Sequence, residues 1–333
     1  MRRIWLLVLT AMLSLAAPAS AWNARGHMVV AAVAWEKMSP KARQRAAELL
    51  RLNPDYATWV SGSAPDARAR VAFMQAATWP DDLRGRVCSD QPECIRDDGY
   101  TPPDPTADLN IGYADHRLRR YWHFKDLPFS TDGTPLEEPF SPNAETQIVA
   151  FSATLKDVAL SDEAKSFNLS WLLHLIGDVH QPLHATARFS QAFPHGDRGG
   201  NSEIVCRPAP ARCETTGRYV DKLHGLWDEA IGTSASNNGA HTKAVKLIDM
   251  AETPGSFLGR VVARTDLRAV PSAWLIESTA LAEKYAYAPP ITDGKGPHYP
   301  TSSYRAAAGS ISEQQVLIAG ERLAIMLNEA LGQ

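Results

Sequence analysis

Within eleven residues, His174-Leu-Ile-Gly-Asp178-Val-His180-Gln-Pro-Leu-His184, the sequence places three imidazoles, one carboxylate and a proline. These side chains suit borderline divalent metals, zinc above all. The preceding Asn168-Leu-Ser-Trp-Leu-Leu reads as an apolar helix running into them. On that helix His174 and Asp178, four apart, share one face. His180 falls on another face and reads as a structural or supporting histidine. Pro182 disfavours helix at Gln181, so His184 sits just past the helix end and points elsewhere. One segment thus offers a His/Asp pair to one metal and His184 to a second. A lone histidine on an apolar helix is more often a satisfied core residue, so the rest of the chain must decide.

Five further places carry similar chemistry. Trp22-Asn-Ala-Arg-Gly-His27 sets an imidazole close to a chain start that signal cleavage would create. A free α-amino group, with its own carbonyl, can chelate a metal. Trp79-Pro-Asp81-Asp82-Leu-Arg84 offers a carboxylate at a helix end and an arginine three residues on. Tyr121-Trp-His123-Phe124-Lys-Asp126 sets an imidazole among aromatics with a second acid. Leu223-His224-Gly-Leu-Trp227-Asp228 repeats the four-residue His/Asp spacing. Gly196-Asp197-Arg-Gly-Gly-Asn201 offers a flexible backbone nest and an amide. Each has an ordinary structural reading, such as a cap, a surface pair or a packed ring. All of them failing together in one chain is implausible.

The elements that must position these groups read as helices. Apolar periodicity predicts helices over 28–37, 40–52, 65–77, 142–155, 162–181, 221–232, 239–251, 272–287 and 311–331, with Asn237-Asn238-Gly239 as a turn between two of them. Residues 86–114 and 186–219 are Pro-, Gly- and charge-rich excursions, and no series of alternating strands is evident. Each excursion holds two of the four cysteines. The expected pairs are Cys88–Cys94 and Cys206–Cys213. The fold class is a mostly α, single compact all-helical domain with long disulfide-stapled loops.

Arg2 and Arg3, the apolar run Ile4–Ala17 and Ala19-Ser20-Ala21 form a signal peptide, residues 1–21, leaving a domain of residues 22–333. The apolar run is too short to span a membrane. Cleavage after Ala21 makes Trp22 the first residue and takes the formal net charge from −3 to −5. That balance argues against grasping polyanions through a broad basic patch. Three bound divalent ions would bring it to about +1, concentrated at one site.

These motifs together resemble the secreted trinuclear-zinc, single-strand-specific nucleases, the family of mung bean nuclease and its fungal relatives, within the zinc phospholipase C/nuclease superfamily. The resemblance covers essentially the whole chain after residue 21. It implies three zinc ions: one on Asp81, His123, His174 and Asp178; a neighbour on Trp22, His27 and Asp178; a third on His184, His224 and Asp228. It also implies Arg84, Asp81 and Asp178 in catalysis and Phe124 and Asp126 on the base; Asn201 in the Gly-Gly-Asn turn reads as a contact to the phosphate or to a metal-bound water. The implied activity is hydrolysis of single-stranded DNA and RNA to 5′-phosphorylated products, with 3′-nucleotidase activity, by a water that zinc activates. The implied protein is an exported monomer, periplasmic or secreted, that does not bind membranes. The rival readings are a zinc phospholipase C and a non-catalytic exported binding protein stabilised by zinc.

Overall fold

The computed structural model describes residues 22–89, 91, 93–103, 105–206, 220–292 and 294–332. Among them are twelve α-helices. The first seven are α1 (Ala24–Lys37), α2 (Pro40–Leu50), α3 (Tyr56–Trp59), α4 (Arg68–Ala76), α5 (Trp79–Asp82), α6 (Ala144–Leu155) and α7 (Asp162–Asp178). The rest are α8 (Leu223–Asp228), α9 (Asn237–Glu252), α10 (Phe257–Arg264), α11 (Pro271–Leu281) and α12 (Ser302–Leu331).

A helix without a polar face has to be wrapped by others, and α7 is one. Every residue from Ser166 to Asp178 is buried. Phe167, Leu169, Trp171, Leu172, Leu173, Leu175 and Ile176 leave water almost completely, each stabilising the fold by roughly 1.5–3 kcal/mol. Ser161 caps the helix by accepting from the Ala164 amide (3.3 Å), and Asp162 and Glu163 complement its dipole. The helix stops at Asp178, and a 3-10 turn at Pro182–His184 follows. The second wrapped helix is α1, buried from Gly26 to Ala34 and packed on α4, α7, α9 and α12. Its crossing with α12 is close because Gly320 has no side chain. A Cβ there would stand 2.5 Å from Val33 Cβ.

The mostly α expectation holds, and the excursions add two small ribbons. Strands β1 (Leu127–Ser130) and β2 (Thr186–Phe189) pair in parallel; β3 (Ile204–Cys206) and β4 (Val220–Lys222) pair antiparallel. At three to four residues each they are too short to show a period-two pattern. Asn237-Asn238-Gly239 is not a turn between helices. It is the first turn of α9, with Ser236 capping the Gly239 amide (3.1 Å). Helix α12 begins nine residues before the expected 311; its early Ala/Ser/Gly-rich turns carry little apolar periodicity. Helix α10 was not anticipated at all. The Cys88–Cys94 disulfide is present, with Cα atoms 5.2 Å apart. Cys206 is also disulfide-bonded, and its expected partner Cys213 lies outside the described residues. Among the described residues no helix is long and apolar enough to cross a membrane.

Candidate metal centre

The C-terminal turn of α7 is where five other segments converge. The first is the start of α1. Asn23 anchors it, the amide donating to Asp228 O (3.3 Å) and the side chain to Gly232 O (2.8 Å). Arg25 adds bonds to Ile231 O (3.1 Å) and Ser234 O (2.8 Å). Trp22 is buried at the head of this segment. Gly26 makes room for it, since a Cβ there would lie 2.6 Å from Trp22 Cβ. The result brings His27 Nε2 to 3.4 Å from Asp178 Oδ1. Gly177 makes room in turn for His27, whose Nδ1 would lie 2.8 Å from an added Cβ.

The second segment is α5, which presents Asp81. His174 on α7 donates from Nδ1 to Ala77 O (2.8 Å), just ahead of α5. The third and fourth are tied by the β1–β2 ribbon. Lys125 N donates to His184 O (3.0 Å), and His184 Nδ1 donates to His123 O (2.9 Å). The last partner is α8, where His224 Nδ1 donates to Gly199 O (2.6 Å). That carbonyl is available because Gly199 takes φ +59°, and a Cβ there would meet Leu183 O at 2.1 Å.

Each of these carbonyl bonds fixes a tautomer and leaves the Nε2 lone pair facing inward. His174 Nε2 lies 2.9 Å from His123 Nδ1, with Asp178 Oδ2 3.2 Å from both rings and Asp81 Oδ1 3.8 Å from His174. His184 Nε2 and His224 Nε2 face each other at 2.9 Å, both Nδ1 protons being committed to carbonyls. Asp228 Oδ1 is 3.8 Å from His224 Nε2. Two lone pairs at that distance repel unless a cation stands between them. Asp178 Oδ1 and both ring nitrogens of His27 have no hydrogen-bond partner, although all are fully buried. Three groups could therefore hold a metal: His27 with His174 and Asp178; Asp81 with His123 and His174; His184 with His224 and Asp228. In each, the ligand atoms lie within 4.8 Å of one another.

The charges tell the same story. Burial pushes the imidazoles of His27, His123 and His224 down, to about 3, about 4 and about 3, so these rings are neutral donors. Burial opposes ionisation of Asp81, but Arg84, His174 and His123 hold its carboxyl below the usual range. Burial likewise opposes ionisation of Asp178, and His174 and His123 override it. His174 pays a burial penalty too, yet Asp178 and Asp81 draw it up to about 9. Asp228 is pushed well up by burial despite a bond from Gln181. Only Arg84 and His174 balance the buried carboxylates with positive charge, and a nitrogen/oxygen donor set of this kind suits zinc.

Arg84 Nη2 sits 2.5 Å from Asp81 Oδ1. Arg84, His123, Phe124, Asp126, His184, Asn201 and His224 border one cavity of about 250 Å³. Phe124 and Asp126 are half-buried. Burial and the Asp197 charge push the Asp126 carboxyl up to about 8 against the pull of Arg198. Asn201 donates from Nδ2 to Arg198 O (2.9 Å). His180 stays out of the cluster. Its Nδ1 donates to Ile176 O (2.7 Å) and its Nε2 accepts from Arg322 (2.9 Å), which also bonds Glu277.

Three contributors escaped sequence reasoning. Gln181 is fully buried, donates to Asp228 Oδ1 (2.8 Å), and accepts from the Leu183 amide. Its place between two ligand histidines was the available signal. The other two are Gly177 and the close approach at Gly199: that glycine stood inside the expected nest, but no spacing rule exposes the room either missing side chain leaves.

The family model described as S1/P1 nuclease matches residues 22–332. The chain belongs to the S1/P1 nuclease family. Membership makes it a hydrolase acting on phosphodiester bonds, with nucleic acid as substrate. No curated protein matches the sequence.

Proposed function

We propose that this S1/P1 family member is an exported zinc-dependent endonuclease for single-stranded DNA and RNA that leaves 5′-phosphorylated products and also removes 3′-phosphates from nucleotides. The observation that carries the metal reading is the His184–His224 pair, two lone pairs 2.9 Å apart beside the buried Asp228. Three zinc ions would be held by Asp81, His123, His174 and Asp178; by Trp22, His27 and Asp178; and by His184, His224 and Asp228. Bound there, zinc supplies Lewis-acid neutralisation of the phosphate and a nucleophile at neutral pH.

The chain's own residues do the rest. Arg84, kept in place by Asp81, hydrogen-bonds the charge that develops on the phosphate oxygens. Phe124 stacks a base and Asp126 hydrogen-bonds its edge, the stacking being worth roughly 1–3 kcal/mol for any base. Asn201 contacts the phosphate from the turn it caps. A cavity of about 250 Å³ takes a base only after it has left its stack, which supports single-strand preference. Cleavage after Ala21 would free the Trp22 amine at the centre of this arrangement, and the enzyme would act as a monomer.

The test is metal analysis of protein beginning at Trp22, alongside assays on single-stranded and duplex DNA. Three zincs per chain, and release of p-nitrophenol from a thymidine nitrophenyl phosphodiester but not of headgroups from phosphatidylcholine, are expected. Hydrolysis of phosphatidylcholine would favour a phospholipase. Zinc-replete protein inert towards DNA and RNA would favour a binding protein.

A further inference from the structure

Three residues that the proposed chemistry does not use border the same cavity: Tyr100, Arg120 and Arg198. The Arg198 guanidinium carbon lies 4.7 Å from the Tyr100 ring centroid and that of Arg120 5.1 Å from it, both within cation–π range. The two cations are not equivalent. Arg120 is tied by a fork to Asp97, at 2.8 and 2.9 Å. Arg198 makes no ion pair among the described residues, and its charge reaches the Asp126 carboxyl. Its backbone is unusual as well. Arg198 takes φ +59°, a left-handed turn that glycine or asparagine adopts far more readily. The turn is closed by Asn201, whose amide (3.2 Å) and side chain (2.9 Å) both donate to Arg198 O. The wall is not a general basic patch, because Glu137 and Glu138 border the cavity too and Glu137 pairs with His195 (2.7 Å).

We propose that Arg198, held over Tyr100 beside Arg120, binds the phosphate of the nucleotide next to the one at the metal centre. The inference rests on the proposed polynucleotide substrate and deepens it. A guanidinium stacked on an aromatic face is weakly hydrated and keeps its fork free, and that fork matches two phosphate oxygens. Such a contact sets the register of the strand and reads no sequence. Arg198 touches the substrate. Tyr100 is a positioning residue acting through Arg198, and Asp97 does the same for Arg120.

The test uses metal-loaded protein and a fluorescein-labelled phosphorothioate oligothymidylate whose binding is followed by anisotropy over a salt series. Arg198→Gly removes the guanidinium and suits the left-handed turn, so the fold is kept. It should weaken binding about tenfold and reduce the salt slope by about 0.7, the share of one single-strand phosphate. Its loss in kcat/KM should be several-fold larger on an oligothymidylate than on thymidine 3′-monophosphate. Tyr100→Leu should reproduce part of this, and Tyr100→Phe, which keeps the ring face, should restore it. An unchanged salt slope in active Arg198→Gly, or equal losses on long and short substrates, would overturn the subsite alone. Wild-type protein that neither binds nor cleaves the oligonucleotides would overturn the proposed function and the subsite with it.

Discussion

Five imidazoles and three carboxylates buried in one cluster would neutralise or repel one another unless something organised their protons. Main-chain carbonyls do so for His174, His184 and His224. The sequence singled out these His and Asp residues as candidates and the resemblance grouped them, but the tautomers were not legible, because carbonyl partners such as Ala77 and Gly199 leave no mark in the sequence. Space is equally invisible there. A methyl at Gly177 would come within 2.8 Å of His27 Nδ1, displacing a ring that is stacked on His174 at 3.9 Å. Alanine is the better helix former by roughly 0.5–1 kcal/mol, so Gly177→Ala should keep its helical circular dichroism. Metal analysis should nevertheless find one zinc fewer, with activity falling at least about a hundredfold. Full occupancy in that variant would remove His27 from the site. At Asp126, burial and the Asp197 charge push the carboxyl up to about 8, favouring the neutral form below that pH. On the proposed role it would donate to the base in the neutral form and only accept in the ionised one. KM plotted against pH should therefore bend near 8, and the bend should vanish in Asp126→Asn; a bend that persists would belong to another group.

Helices were legible where apolar periodicity was strong, in α1, α6 and α7, and illegible where packing rather than pattern decides. The opening turns of α12 and the whole of α10 are examples. Candidate ligands, by contrast, were easiest to pick out where helices end, since a turn after Asp178 or before Ala24 needs Pro, Asn or Gly and those residues stand out. The start of α1 depends on a small set of anchors. Its attachment runs through Asn23 and Arg25 to the segment after α8. Arg25→Ala removes two charge-assisted bonds, and the expected loss of stability is about 1–3 kcal/mol, accompanied by weaker zinc retention during dialysis against a chelator. If Trp22 chelates through its amine, one extra residue ahead of it should cost a metal and most activity while leaving the helical spectrum intact. Undiminished activity with the extension would mean that the side chain alone matters there. Gly320 is the corresponding point in the α1–α12 crossing. Gly320→Ala would gain helix propensity and lose more to the 2.5 Å approach to Val33, a net cost of about 1–2 kcal/mol that thermal unfolding would register as a lower midpoint.

Over the whole molecule, the candidate metal centre draws together chain segments about 200 residues apart, from His27 to Asp228, so metal and fold stability should be coupled. Without metal, the cluster can add positive charge to that of Arg84 only by protonation. His174, ordinarily near 6.5, is drawn up to about 9 by Asp178 and Asp81, and Asp228 is pushed above its usual range by burial. Both groups have folded-state values above their unfolded ones. Their contribution is therefore complete below the unfolded value and disappears as pH rises through the folded value. For His174 that window runs from about 6.5 to about 9. Chelator-treated protein should lose thermal stability across it, as Asp81 and Asp178 lose their compensating proton. Zinc-loaded protein should not, because metal already occupies the place of the proton and binds better as protons leave. Unfolding midpoints for both forms at pH 6 and pH 9 would decide the matter: a widening gap is expected, and parallel curves would mean that these histidines are not joined to the carboxylates through one shared cation site.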